Sequence, residues 1–433
     1  MHTHSTSTRK QAGIVVLALP VFMASAVRAQ GTAYAAKGAA TPSFQTLYSI
    51  GGGPDGYEPS ATVTAGAGGE LYGMTYYGGA NNSGTIFSLT PPSSPGGTWT
   101  HTVLYNFTGG SDGENPYGTM AISPAGVLYG TTENGGAFGY GVAFSLSPPA
   151  APGGAWTETV MHAFGGGAGG QTPEMGLVLG SRGDLYGTTA FGGIYRGGVL
   201  FRLAVGSSGG WSENVLHSFG GSGDGVEPQA AYGGLLISSG GQFYGTTLYG
   251  GASGEGTIYS LAPPASGTGE WSEQVLYSFS GGSDGGNPTA GLAAGPDGIL
   301  YGTTSTGAQG GGTVFSLTAP TSTGAAWTLA VLHTVPVAGV FPSALLLDRS
   351  SSQYQGLWGT TYAGGSGGDG TIFLLRPSAT AGGAWVYTPV YDFTGANGAN
   401  PIVGLVPGPG GVLYGTTVIG GSANSGTVFQ LTL

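Results

Sequence analysis

The chain contains no cysteine, which excludes a disulfide framework and thiol chemistry. Charge is scarce as well, at 7% of 433 residues, against about 25% in an average soluble domain. Nine basic residues face twenty acidic ones, for a formal net charge of −11. That balance excludes a basic nucleic-acid binder. Apolar runs stay short of the ~20 residues that span a bilayer, and no repeat unit carries helical periodicity. Glycine and proline are plentiful instead, at 92 and 26 residues. Such enrichment without other structure signals a disordered chain. Here 40% hydrophobic and 11% aromatic residues supply the apolar surface that disordered chains lack.

The first 29 residues read as an export signal. Arg9 and Lys10 precede an almost wholly apolar stretch over 12–24, and small residues bracket a cleavage point after Ala29, with Ala26 as the alternative. The run is too short for a membrane anchor and contains Pro20. Removing it takes away three of the nine basic residues and none of the acidic ones, so the product is more acidic still. It is expected to be secreted, periplasmic or at the cell surface, with 30–43 as a linker and 44–433 as one domain.

Over 44–433 a single unit recurs seven times. A pattern around Leu-Tyr-Gly-Thr-Thr is centred on Tyr72, Tyr129, Tyr186, Tyr244, Tyr301, Trp358 and Tyr414, in steps of 56–58 residues. Each copy is followed by Gly-Thr-Ile-Phe-Ser-Leu or a variant, as at 84–89 and 426–431. A third motif runs from Trp to Val-Leu-Tyr/His-x-Phe, as at 99–107, and a short apolar run follows a proline. Four runs rich in Tyr, Phe, Val, Ile and Thr, separated by Gly, Pro, Ser and Asn, are strands and turns. Four strands per unit, seven times over, predict an all-β, seven-bladed β-propeller of four-stranded antiparallel blades. With the post-proline strand innermost and the Trp strand outermost, the last blade lacks its outer strand. Residues 44–50 copy that strand, so the N-terminal strand is expected to close the ring.

The units written Leu-Tyr-Gly-Thr-Thr, then Gly-Gly, then Gly-Thr-Val-Phe-Ser-Leu, joined by Ser-Asp-Gly-x-Asn-Pro, resemble the GloVer tandem repeats of bacterial surface proteins. The resemblance spans about 44–433. It implies an exported repeat protein without a defined activity, in a family that uses varied C-terminal anchors. No apolar tail or sorting motif follows the last repeat, so an anchor of that kind is not expected.

In this strand order the loop entering each inner strand and the loop between strands two and three open on one face. Entry loops carry Asp55, Asp112, Asp224 and Asp284, whereas copies three, six and seven have Gly169-Gly170, Ala338-Gly339 and Asn397-Gly398. With Glu58, Glu114, Glu133, Glu174, Glu227, Glu255 and Asp369, eleven of twenty acidic residues fall on this face, beside the single cation Arg196. A carboxylate-rich channel mouth would attract cations or basic partners, and calcium would suit such oxygen-rich loops. Asp-Gly is equally a favoured turn former, whatever the function, and no calcium-loop signature is present.

Tyr77, Phe191 and Tyr249 precede the Gly-Gly of the second loop and could stack on sugar rings, or pack within the loops. His162, His217 and His333 occupy the place of Tyr48, Tyr105, Tyr277 and Tyr391, which marks them as packing residues. The residues assign no catalytic group, no metal ligands and no required cofactor. The reading is a non-enzymatic binding or structural module, with a polysaccharide or an envelope protein as partner. A carbohydrate-active enzyme with carboxylates at the acidic mouth is the alternative.

Overall fold

Each repeat folds into one antiparallel sheet, giving seven sheets in all. The computed structural model describes residues 42–433 except 95, 152, 207–208, 230–233, 266–268, 323, 337–339, 349–355 and 381–382. The expected export segment, most of the linker, and Ala338 and Gly339 lie outside the described residues. In blade 1 the inner edge is Tyr57–Pro59 with Thr64–Ala65, followed outward by Leu71–Tyr77, Thr85–Thr90 and Thr100–Asn106. The strand order is therefore the expected one. Helix among the described residues is confined to three short 3-10 turns, and none is long and apolar enough to cross a membrane.

The ring closes through its first strand. Ser43–Ser49 pairs with Thr427–Thr432 as the outer strand of blade 7, from Ser43↔Thr432 to Ser49↔Thr427. Closure removes the exposed ladder that an open last blade would present.

The recurring pentapeptide is explained by contacts within and between blades. A Cβ on Gly73 would lie 2.3 Å from the Phe87 ring, which crosses the glycine from the third strand. Gly130 with Phe144 and Gly359 with Phe373 repeat the fit. The first threonine of the pair reaches the next blade: Thr131 donates to Met175 O (2.9 Å), Thr246 to Ala290 O (3.0 Å) and Thr416 to Ala61 O (2.9 Å), the last across the closure. The second threonine accepts from the third-strand backbone, as Thr85 N to Thr75 Oγ1 at 3.2 Å. The motif tyrosines pack edge-on against the next blade's tryptophan, Tyr72 on Trp156 and Tyr129 on Trp211. These residues are interblade core, as the repeat pattern implied.

Every outer strand carries a bulge at the same place. Ladder register slips at Leu47, Leu104, Met161, Leu216, Leu276, Leu332 and Val390. An extra residue in one strand re-aims the side chain beside it. The residue that follows is in each case Tyr48, Tyr105, His162, His217, Tyr277, His333 or Tyr391, and these side chains face the next blade.

Candidate functional site

Both loop sets open on one face, as expected. Entry-loop residues pair with second-strand ends, Tyr57↔Tyr77 and Val226↔Tyr249, with an isolated bridge Gln171↔Phe191. Gly79 N donates to Gly53 O at 2.8 Å, tying the two loops of blade 1 together.

The four entry-loop aspartates sit at junctions between outer strands instead of around the channel. Tyr48 donates to Asp55 (2.7 Å), Tyr105 to Asp112 (2.9 Å) and Tyr277 to Asp284 (3.1 Å), while His217 Nε2 lies 2.9 Å from Asp224. The entry loop leaves the outer strand and travels inward, and the aspartate falls at its outer end, seven residues after the re-aimed Tyr or His. Asp112 is buried and also accepts from the Thr108 backbone and hydroxyl. Burial opposes ionisation of Asp284, but hydrogen bonds from Ser280 and Tyr277 outweigh it and hold this carboxyl below its usual value. Within their own loops Asp112 and Asp284 thus take turn hydrogen bonds from Thr108 and Ser280, whereas Asp55 is met across the junction by Tyr48 and His101.

A third residue, from the next blade's outer strand, completes each junction. His101 stacks on Tyr48 with ring centroids 4.5 Å apart. Glu213 lies 3.6 Å from His162 Nε2, Tyr387 stacks on His333 at 4.4 Å and Phe44 on Tyr391 at 3.8 Å. Burial pushes Glu158, Glu213 and Glu273 up to about 7, helped at Glu158 by Asp112 and at Glu273 by Asp224. One carboxyl oxygen of each is buried without a hydrogen-bond partner. Burial likewise lowers His162, so the His162–Glu213 contact is driven toward neutral forms.

A different carboxylate set lies among the inner and second strands. Tyr76 donates to Glu133 Oε2 at 2.6 Å. Glu174 is pushed up to about 7, first by burial and then by Glu133 and Glu227. Burial also raises Glu227, and Tyr76 is raised by burial, by its bond to Glu133 and by the charge of Glu174. Glu227 and Glu58 each precede a proline with φ near +57, at 56° and 59°, which turns their side chains from the ladder. A neighbouring cavity of about 200 Å³ is lined by Glu58, Ser60, Tyr76, Tyr117, Ile402 and Val418 among others. Of the eleven carboxylates expected on this face, Glu133, Glu174 and Glu227 thus lie close enough to influence one another, apart from the junction aspartates. Glu174 and Glu227 were legible as members of the acidic face, whereas Tyr76 was not singled out.

Exposed aromatics crowd the same face. Phe191 is 39% and Tyr249 47% exposed, while Tyr77 is half-buried, stacked on Tyr57 at 5.4 Å and edge-on to Tyr76 at 4.6 Å. The second loops add Phe138 (63% exposed), Tyr140, Ile194 and Tyr195 (57%), which the sequence reading missed. These side chains lie along the entry loops: a Cβ on Gly165 would come 3.6 Å from Phe138, one on Gly166 3.3 Å from Tyr140, and one on Gly221 3.7 Å from Tyr195. Bulky rings in glycine-rich loops, at a position shared by Phe138 and Tyr195 where other copies carry Asn81, Ser253 or Ala423, were the available signal.

Several solved structures are remotely similar to the chain. An ulvan lyase representing a new polysaccharide lyase family, bound to a GlcA–Rha3S saccharide, is similar over 89% of this chain and 94% of its own, with 13% identity and TM-score 0.50. The soluble aldose sugar dehydrogenase of Escherichia coli is 13% identical over 90% of this chain and 99% of its own, with TM-score 0.45. A putative glucose dehydrogenase of Thermus thermophilus is 17% identical over 73% of this chain and 96% of its own, with TM-score 0.41. At these identities the likeness concerns the fold alone. No curated protein sequence matches the chain. The model of the Gloeobacter/Verrucomicrobia repeat matches residues 23–177, 150–325 and 232–433. With the match running through all seven blades, the chain belongs to the Gloeobacter/Verrucomicrobia repeat family.

Proposed function

We propose that the protein is exported and works as a binding module, taking a neutral polysaccharide on the loop face of blades 2–4. The observation that carries this reading is the crowding of exposed rings, Phe138, Tyr140, Phe191, Tyr195 and Tyr249, on adjacent blades. Exposed rings that recur in the loops of three successive blades offer apolar surface to a partner. Aromatic rings offer apolar faces to sugar C–H groups. The carboxylates beside them accept hydrogen bonds from sugar hydroxyls and repel anionic chains. Export is supported by the basic start and the apolar run before residue 30. An envelope protein is the other partner class. Calcium, which oxygen-rich loops suit, enters as a variable in the assay.

Affinity electrophoresis against neutral and anionic polysaccharides, with and without calcium, tests the proposal. Wild-type protein is expected to be retarded by a neutral chain, and combined Phe138→Ala, Tyr195→Ala and Tyr249→Ala to abolish the retardation with melting unchanged. Retardation that survives the triple substitution, or none on any polysaccharide, sinks the reading. N-terminal sequencing of protein recovered outside the cell tests export.

A carbohydrate-active enzyme is the second reading, favoured by one observation: Glu174 is held near neutrality beside Glu133, which accepts the Tyr76 hydroxyl. A carboxyl raised to about 7 next to a second carboxyl is an arrangement suited to acid–base work. Release of reducing ends by wild type and its loss in Glu174→Gln would support it.

A further inference from the structure

The junction between blades 3 and 4 differs from its six counterparts in the chemistry of its side chains. His217 follows the bulge of one outer strand, Asp224 lies in the entry loop, and Glu273 comes from the next outer strand. One ligand atom from each lies within 4.8 Å of the other two, and among the described residues they form the one such group of three. His217 Nε2 and Asp224 Oδ2 are 2.9 Å apart. Glu273 Oε1 is buried with no hydrogen-bond partner. At the other junctions Tyr105 stands where His217 would be, Gly169 replaces the aspartate, or Leu329 replaces the glutamate. The framework is thus satisfied without this trio, and its assembly in one place calls for a separate cause.

We propose that His217, Asp224 and Glu273 bind a first-row divalent transition cation of the zinc class, which fastens the outer strands of blades 3 and 4. Imidazole with two carboxylates suits such ions, whereas calcium takes six to eight oxygen ligands. Metal–ligand bonds of about 2.0–2.2 Å require the three donors to draw in slightly, within the reach of side-chain rotation. The cation takes the place of the direct contact between His217 and Asp224, binding them deprotonated. It also gives the buried Glu273 oxygen a partner, and water fills the remaining position.

Two variants test the site without inventing new packing. His217→Tyr installs the side chain of the junctions at Tyr105 and Tyr277, and Glu273→Leu installs that of Leu329. The full chain, stripped with EDTA, is titrated with zinc by calorimetry and melted with and without zinc. Wild type should bind one ion at this site and melt at a temperature that rises with zinc concentration. Each variant should lose at least about tenfold in affinity, as loss of a metal-site group does. Absence of zinc binding to the wild type, or undiminished binding in either variant, overturns the proposal. Should a variant fail to fold, zinc K-edge absorption of the loaded wild type decides: an imidazole scatterer supports the site and its absence overturns it.

Discussion

In blade 1 the Phe87 ring crosses Gly73, and in blade 6 Phe373 crosses Gly359 with the same fit. Thr75 meets Thr85 at 2.8 Å as Thr361 meets Thr371 at 2.9 Å. The two halves of the ring, blades 1–4 and blades 5–7, are held by the same contacts. On the loop face they diverge. The position of Tyr77 is Phe191 and Tyr249 in blades 3 and 4, but Thr306, Ala363 and Ile419 in blades 5–7. The junction position is His101, Glu158, Glu213 and Glu273 in blades 1–4, but Leu329, Tyr387 and Phe44 in the rest. Residues that contact their own repeat or the next are constrained seven times over, whereas those facing solvent or a single junction are free to specialise.

If the framework is common to both halves, removing a shared element should injure the whole ring. Deleting 43–49 takes away the outer strand of blade 7 and the burial of Phe44, Leu47 and Tyr48, together about 5 kcal/mol. It also bares an edge. The expected outcome is loss of a cooperative melt or aggregation, read by calorimetry and light scattering. An unchanged melt would contradict closure through this strand.

Phe87→Ala and Phe373→Ala sharpen the same comparison at smaller scale. Both rings are fully buried, and each truncation should cost about 3–5 kcal/mol. Denaturant unfolding should give similar losses in the two halves. A loss confined to one would break the equivalence.

The smallest effect separates the halves by pH. Glu158, Glu213 and Glu273 rise from an ordinary 4.5 to about 7 in the folded protein, chiefly through burial. Their folded state binds more protons than the unfolded chain between these values, so stability is full below about 4.5 and declines as pH rises through 7. His101, His162 and His333, lowered by burial, act oppositely and cost stability as pH falls below 6.5. Glu158→Gln, Glu213→Gln and Glu273→Gln together should flatten the decline of melting temperature between pH 5 and 7. An unaltered slope would remove these junctions from the pH response.

The repeat spacing made blade number, strand order and closure legible, because each rests on residues recurring at a fixed step. Tyr72 could be read as core from its six equivalents alone. The junctions could not be read, since Tyr105 and Glu158 belong to different repeats and meet only because a bulge at Leu104 turns Tyr105 outward from its ladder. The same local geometry drew the aspartates away from the mouth: their spacing from the bulge was visible, its meaning was not. Tyr76 escaped notice because its role depends on Glu133 in the neighbouring blade, Phe138 and Tyr195 because only these two of the seven copies carry a ring at their shared position, and Tyr140 because no sister copy repeats it.

Gln430 donates to Gln45 across 385 residues of chain, at 3.0 Å. A ribosome or translocase delivers Ser43–Ser49 long before its partner, so intermediate blades can stack while that ribbon waits unmated. During the wait it can mate with another molecule's final repeat, linking chains by strand exchange. Refolding at high concentration should therefore yield swapped oligomers, and dilution should favour single rings.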